Sequence, residues 1–168
     1  MITKVIYNEN IALSNAEAIV NAANGFGYMG GERCIKKQYR GVAESIQYVS
    51  KGAVEQLSKV NCKCHSFFGY APGSVFLTEA PNLNTNYIIH AVTMRAPGSK
   101  ARLKNIKKLI PEIIKVSKNM HLSTVAIPLL GTGTGGLDES KVFDIFMDYL
   151  NDSSVEFWVY LIKDEKLL

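Results

Sequence analysis

The chain has 168 residues, 47% hydrophobic and 20% charged, which fits one globular domain of ordinary size and excludes a disordered chain. Its net charge of +4 and pI near 8.9 suit an anionic ligand without the concentrated charge of a dedicated nucleic-acid binder. Cys34, Cys62 and Cys64 cannot all pair, no leader-like segment precedes the first strand signal, and no apolar run nears the ~20 residues that span a bilayer. A reduced, cytoplasmic, monomeric single domain over residues 1–168, with no membrane partner, is expected.

Strand and helix signals alternate along the chain. Residues 2–7 are β-prone, and residues 18–23 are apolar and end abruptly at Asn24-Gly25, a turn signal. Residues 32–59 read as helical, with Val42, Ile46, Val49, Ala53 and Leu57 at spacings of three and four. Gly41 and Gly52 should divide that region into two or three pieces. Strands are predicted at 74–78, 87–93 and 124–130. Between the last two lies a helix with Leu103, Ile106, Ile110, Ile113 and Ser117 on one stripe, which Pro111 should kink or restart. Residues 138–150 form a further amphipathic helix, and 155–162 a closing strand buried on both faces. Strands separated by helices, several without polar alternation, imply a mixed or parallel sheet between two helical layers. Ligands of such sheets bind beyond the carboxyl ends of the strands.

Two loops at such ends stand out. After Asn24, the run Gly25, Gly27, Gly30, Gly31 leads from a buried strand into a helix. Glycine there lets amides turn toward an anion, and Asn24 offers a donor and an acceptor to a sugar hydroxyl. The spacing is neither a dinucleotide fingerprint nor a P-loop. The second loop, Gly131-Thr132-Gly133-Thr134-Gly135-Gly136, packs four glycines and two threonines into six residues. Ordering it is costly in entropy, which makes sense if its amides and hydroxyls wrap a diphosphate.

With both loops read, the chain resembles the macrodomain family over nearly its whole length. The match is carried by Asn21-Ala22-Ala23-Asn24, Met29-Gly30-Gly31, Tyr87-Ile88-Ile89-His90 and residues 128–137, in that order. The resemblance implies a three-layer α/β/α fold around a mixed, mostly parallel sheet of about six strands, with a cleft for ADP-ribose and no resident cofactor. It places Asn24 at the distal ribose, Gly30 and Gly31 on the diphosphate side, and Gly131, Thr132, Gly133, Thr134 and Gly135 on the opposing phosphate loop. Asn10, followed by Ile11, stands where the family has an aspartate on the adenine amino group; its side-chain oxygen would accept without charge assistance. Tyr160 or Phe157 would line the adenine pocket, although core packing explains either equally well.

The departures bear on catalysis. The well-studied hydrolase branch continues its first loop into a water-activating aspartate, which is absent here. The nearest carboxylate, Glu32, is read as a solvated first-turn residue. A second branch removes terminal ADP-ribose from acidic side chains with a lysine and an aspartate. Asp138 falls at that aspartate, while Met94, followed by Arg95, falls at the lysine. Arginine stays protonated and cannot form the sugar adduct an amine can. Asp138 is therefore either a general base toward water or a helix N-terminal residue. Cys62-x-Cys64-His65 matches no common zinc spacing, so no metal is expected, and His90 is read as a hydrogen-bonded core residue. The expectation is an enzyme hydrolysing an ADP-ribosyl linkage on a macromolecule or small derivative, through Asn24 and Asp138. The alternative is a non-catalytic ADP-ribose reader. A weaker one is a nucleic-acid module using Lys100, Arg102, Lys104, Lys107, Lys108, Lys115 and Lys118, a set that ordinarily forms a solvated face.

Overall fold

The structure, a computed structural model, describes residues 1–162. Among these, six strands build one sheet: β1 (Ile2–Tyr7), β2 (Ala18–Asn24), β3 (Val75–Glu79), β4 (Tyr87–Met94), β5 (Thr124–Pro128) and β6 (Glu156–Leu161). Their order is β1-β6-β5-β2-β4-β3, with β3 antiparallel at one edge and the other neighbours parallel. The central strands are apolar at successive positions because both faces are covered. On one face, Val20, Ile89, Val125, Ile127, Phe157 and Val159 meet the helices α4 (Leu103–Asn119) and α5 (Glu139–Leu150). On the other, Ile19, Ile88 and Ala126 meet a single 3-10 turn (Ile11–Leu13) and the second and third of the helices α1 (Gly31–Lys36), α2 (Val42–Val49) and α3 (Ala53–His65). The result is the expected three-layer α/β/α arrangement.

Gly41 and Gly52 divide the first helical region as the sequence predicts, each standing immediately before a helix. Gly52 adopts φ +85°, and a Cβ there would lie 2.7 Å from Ile35 Cδ1. The third piece runs past Lys59 to His65, because Cys62 is buried against Phe76 and Val92 and anchors the last turns. Pro111 does not end the helix, since α4 passes through it as one 17-residue element. Proline in a helix interior costs about 3 kcal/mol. Burying Ile106, Leu109, Ile110 and Ile113 contributes roughly 2–3 kcal/mol each, so the buried stripe wins.

Because five strands run parallel, their carboxyl ends share one edge. Both glycine loops stand there, together with the segments that follow β1 and β4.

Candidate functional site

Loop one starts at Asn24, whose carboxamide is largely spent on the loop itself. Its Oδ1 accepts the amides of Phe26 (3.1 Å) and Tyr28 (3.2 Å), and its Nδ2 donates to the Tyr28 carbonyl (2.8 Å). One Nδ2 hydrogen is left for a ligand, whereas the sequence reading offers both ends of the group. Gly25 fits because any Cβ would lie 2.2 Å from the Tyr70 carbonyl oxygen. Gly30 and Gly31 take φ of +108° and +65°, as the reversal into α1 requires. The amides of Met29 and Gly31 turn inward to Glu55, a residue the sequence reading missed. Its burial depends on amides 26 and 24 residues away, which no local pattern reveals.

Loop two is tied differently. Leu137 donates its amide to Gly131 (2.9 Å), Gly136 to Gly133 (3.0 Å), and the Thr132 hydroxyl to the Leu129 carbonyl (2.9 Å). Gly131 and Gly135 are buried, and a Cβ on either would lie within 3 Å of Ala101 Cβ. Gly133 and Thr134 are exposed, and no acceptor among the described residues takes their amides. The segment after β4 joins the two loops: Gly25 donates its amide to the Arg95 carbonyl (2.8 Å), and Ala101 donates to the Gly135 carbonyl (3.1 Å). β2 and β5 are adjacent, so both loops border one region of the edge.

A family profile described as Macro domain matches residues 20–146. The chain belongs to the macrodomain family. An uncharacterised protein of Sulfurisphaera tokodaii is 34% identical over 81% of this chain and 67% of its own length. A macro domain-containing protein of Caldanaerobacter subterraneus subsp. tengcongensis is 29% identical over 88% of this chain and 81% of its own. The match spans 59% of the length of a relative from Aeropyrum pernix. Among solved structures, the DarG macrodomain of Mycobacterium tuberculosis superposes with a TM-score of 0.76 at 22% identity, covering 93% of this chain and 96% of that one. Thermosipho africanus DarTG, solved in complex with ADP-ribose, gives 0.77 at 20% identity over 99% of this chain and 43% of that one. At such identities the likeness is one of fold.

The remaining predicted site residues of this macrodomain fall in three places. Asn10 is half-buried and caps the 3-10 turn, accepting the Ala12 amide on Oδ1 at 3.0 Å, while Ile11 is buried. Tyr160, half-buried on β6, packs in the same cluster as Ile11, so these three gather at the end of the edge beyond β5. Phe157 does not join them: it is fully buried on the opposite face against α4 and α5, so of the two candidates only Tyr160 lies on this side, in the same cluster as Trp158. Asp138, fully exposed, caps α5; its Oδ1 accepts the Lys141 amide (3.1 Å) and the Ser140 hydroxyl (2.7 Å). Those bonds, the Ser140 one foremost, hold its carboxyl below the usual aspartate range. Glu32 is exposed and pairs with Lys36 one turn on, as expected of a solvated residue.

His90 is fully buried between Asn21 (Nδ2 to Nδ1, 3.2 Å) and Thr78 (Oγ1 to Nε2, 3.0 Å). Both ring nitrogens therefore have a partner, and burial pushes the imidazole down to about 3, which keeps the ring neutral. The basic residues of α4 lie on its exposed face. A surface depression of about 360 Å³ bordered by Lys118, His121 and Glu156 lies at the opposite, amino edge of β5 and β6, away from both loops.

Proposed function

We propose that this macrodomain binds ADP-ribose along the carboxyl edge of its sheet and hydrolyses an ADP-ribosyl linkage on a protein, a nucleic acid or a small ADP-ribose derivative. The observation that carries the reading is two glycine loops side by side, joined by one segment, with the amides of Gly133 and Thr134 left for an anion. Those amides and the Thr134 hydroxyl take the diphosphate, while Gly131 and Gly135 give the loop its shape. Gly30 and Gly31 form the facing wall, with the Tyr28 ring against Gly31 and Cys34 behind Gly30. Asn24 directs its remaining Nδ2 hydrogen to the distal ribose. Asn10 and Ile11 receive the adenine, and Tyr160 packs beside it. That a structure of the same fold, Thermosipho africanus DarTG, holds ADP-ribose supports this choice of ligand.

In the hydrolytic step, water attacks the anomeric carbon of the distal ribose and the bond to the acceptor breaks. Asp138 takes the water proton, and the acceptor leaves with a proton from solvent. One observation favours the second reading, a reader that binds without cutting: Asp138 already bonds Ser140 and Lys141, which weakens it as a base. Incubation with targets mono-ADP-ribosylated on Glu, Asp, Arg, Ser and DNA separates the two. Release by the wild type and its loss in Asp138→Ala support hydrolysis. Binding without release supports the reader, and turnover that survives Asp138→Ala rules that residue out as the base.

A further inference from the structure

Glu55 lies in the first turn of α3 and is 5% exposed. Its Oε2 accepts the amides of Met29 at 2.6 Å and Gly31 at 3.0 Å, and Lys59 Nζ stands 2.9 Å from Oε1. The loop that the ADP-ribose reading sets beside a diphosphate thus already holds an anion, and that anion belongs to the chain. Charge-assisted bonds from two amides fix the loop firmly. They also put a negative charge behind a surface meant to receive another one, which opposes binding. Lys59 answers that charge. One turn further along α3, it reaches Oε1 with its side chain half-exposed, and its ammonium lies 5.4 Å from the Tyr28 ring centroid, against loop one.

From this geometry we infer that Glu55 and Lys59 are a positioning pair for the phosphate site. Glu55 sets the backbone of loop one through Met29 and Gly31, and the net charge of the pair sets the affinity for a phosphorylated ligand. The inference rests on the ADP-ribose reading. It differs from a purely structural role in the direction in which each substitution moves the affinity. If the pair were glue alone, removing either partner would weaken binding. If the pair sets charge, the two substitutions act in opposite directions.

The chemistry of the pair permits a clean test. A single oxygen of Glu55 takes both amides, so the one acceptor oxygen of glutamine can keep both bonds while the charge is lost. Glu55→Gln leaves the pair at net +1, Lys59→Met at net −1, and the double variant neutral like the wild type. Calorimetry with ADP-ribose at low salt should show Glu55→Gln binding about three- to tenfold tighter and Lys59→Met about three- to tenfold weaker, with the double variant within about twofold of wild type. In roughly 0.5 M sodium chloride the spread should shrink, since screening acts on charge and not on loop shape. Lys59→Met keeps the carboxylate and both amide bonds, so its result stands even if Glu55→Gln fails to fold. Weakening by both single variants, or no change in either while the wild type binds, overturns this inference and leaves the ADP-ribose reading intact. A wild type that does not bind ADP-ribose overturns both.

Discussion

Burial of His90 removes its charge across the physiological range, because desolvation pushes the imidazole down to about 3 while the unfolded chain titrates near 6.5. Between those values the unfolded state binds more protons than the native state, so stability rises with pH there and is lost as pH falls below about 6.5. From pH 6.5 to 5 this one group should cost about 1.5–2 kcal/mol. Urea titrations at the two pH values should show that loss, and His90→Gln should lack it; an identical pH slope in the variant would contradict the assignment. Asp138 has two separable duties. Asparagine is as good an N-cap as aspartate. Asp138→Asn should therefore melt with the wild type while abolishing hydrolysis, and Asp138→Ala should melt lower as well as lose hydrolysis. Thermal melts beside a release assay check both, and full release by Asp138→Asn would leave the carboxylate with capping alone. Asn24 marks the limit of reading residues singly. Its identity and strand-end position are legible in Asn21-Ala22-Ala23-Asn24, but not that its carboxamide already holds Phe26 and Tyr28.

Among elements, loop two separates shape from contact. A Cβ at Gly135 would lie 2.6 Å from the Gly131 carbonyl oxygen and 2.8 Å from Ala101 Cβ, whereas one at Gly133 meets nothing within 4 Å. Gly135→Ala should cost about 1–3 kcal/mol in folding. Gly133→Val should melt close to the wild type yet lose ADP-ribose, because its side chain enters the space assigned to the diphosphate. Equal melting temperatures for the two variants would contradict the loop packing. The helix breaks at Gly41 and Gly52 were legible because glycine acts locally, at the turn it permits. The end of α3 was not, since Cys62 is held by Phe76 and Val92 from distant strands. For the same reason Pro111 does not end α4, as the buried stripe on the sheet outweighs a local penalty.

At the scale of the whole molecule, alternation of strand and helix signals sufficed for the layers, and the closing strand's near-continuous apolar run, broken at Glu156, packs Phe157 and Val159 on one face and the partly buried Trp158 and Tyr160 on the other. Strand order was not legible, because β6 threads between β5 and β1, and its pairs with β1 join residues more than 150 apart in the chain. That order brings loops one and two together, since β2 and β5 are neighbours although some hundred residues separate them. Glu55 stayed hidden likewise: a carboxylate at a helix start reads as solvated until the fold lays loop one over it. The most direct test of the account is isothermal calorimetry with ADP-ribose on the wild type, Asn24→Ala and Gly133→Val. The account predicts saturable one-site heat for the wild type and at least a tenfold loss of affinity in each variant. No heat at millimolar ligand, or equal affinity in all three proteins, would contradict it.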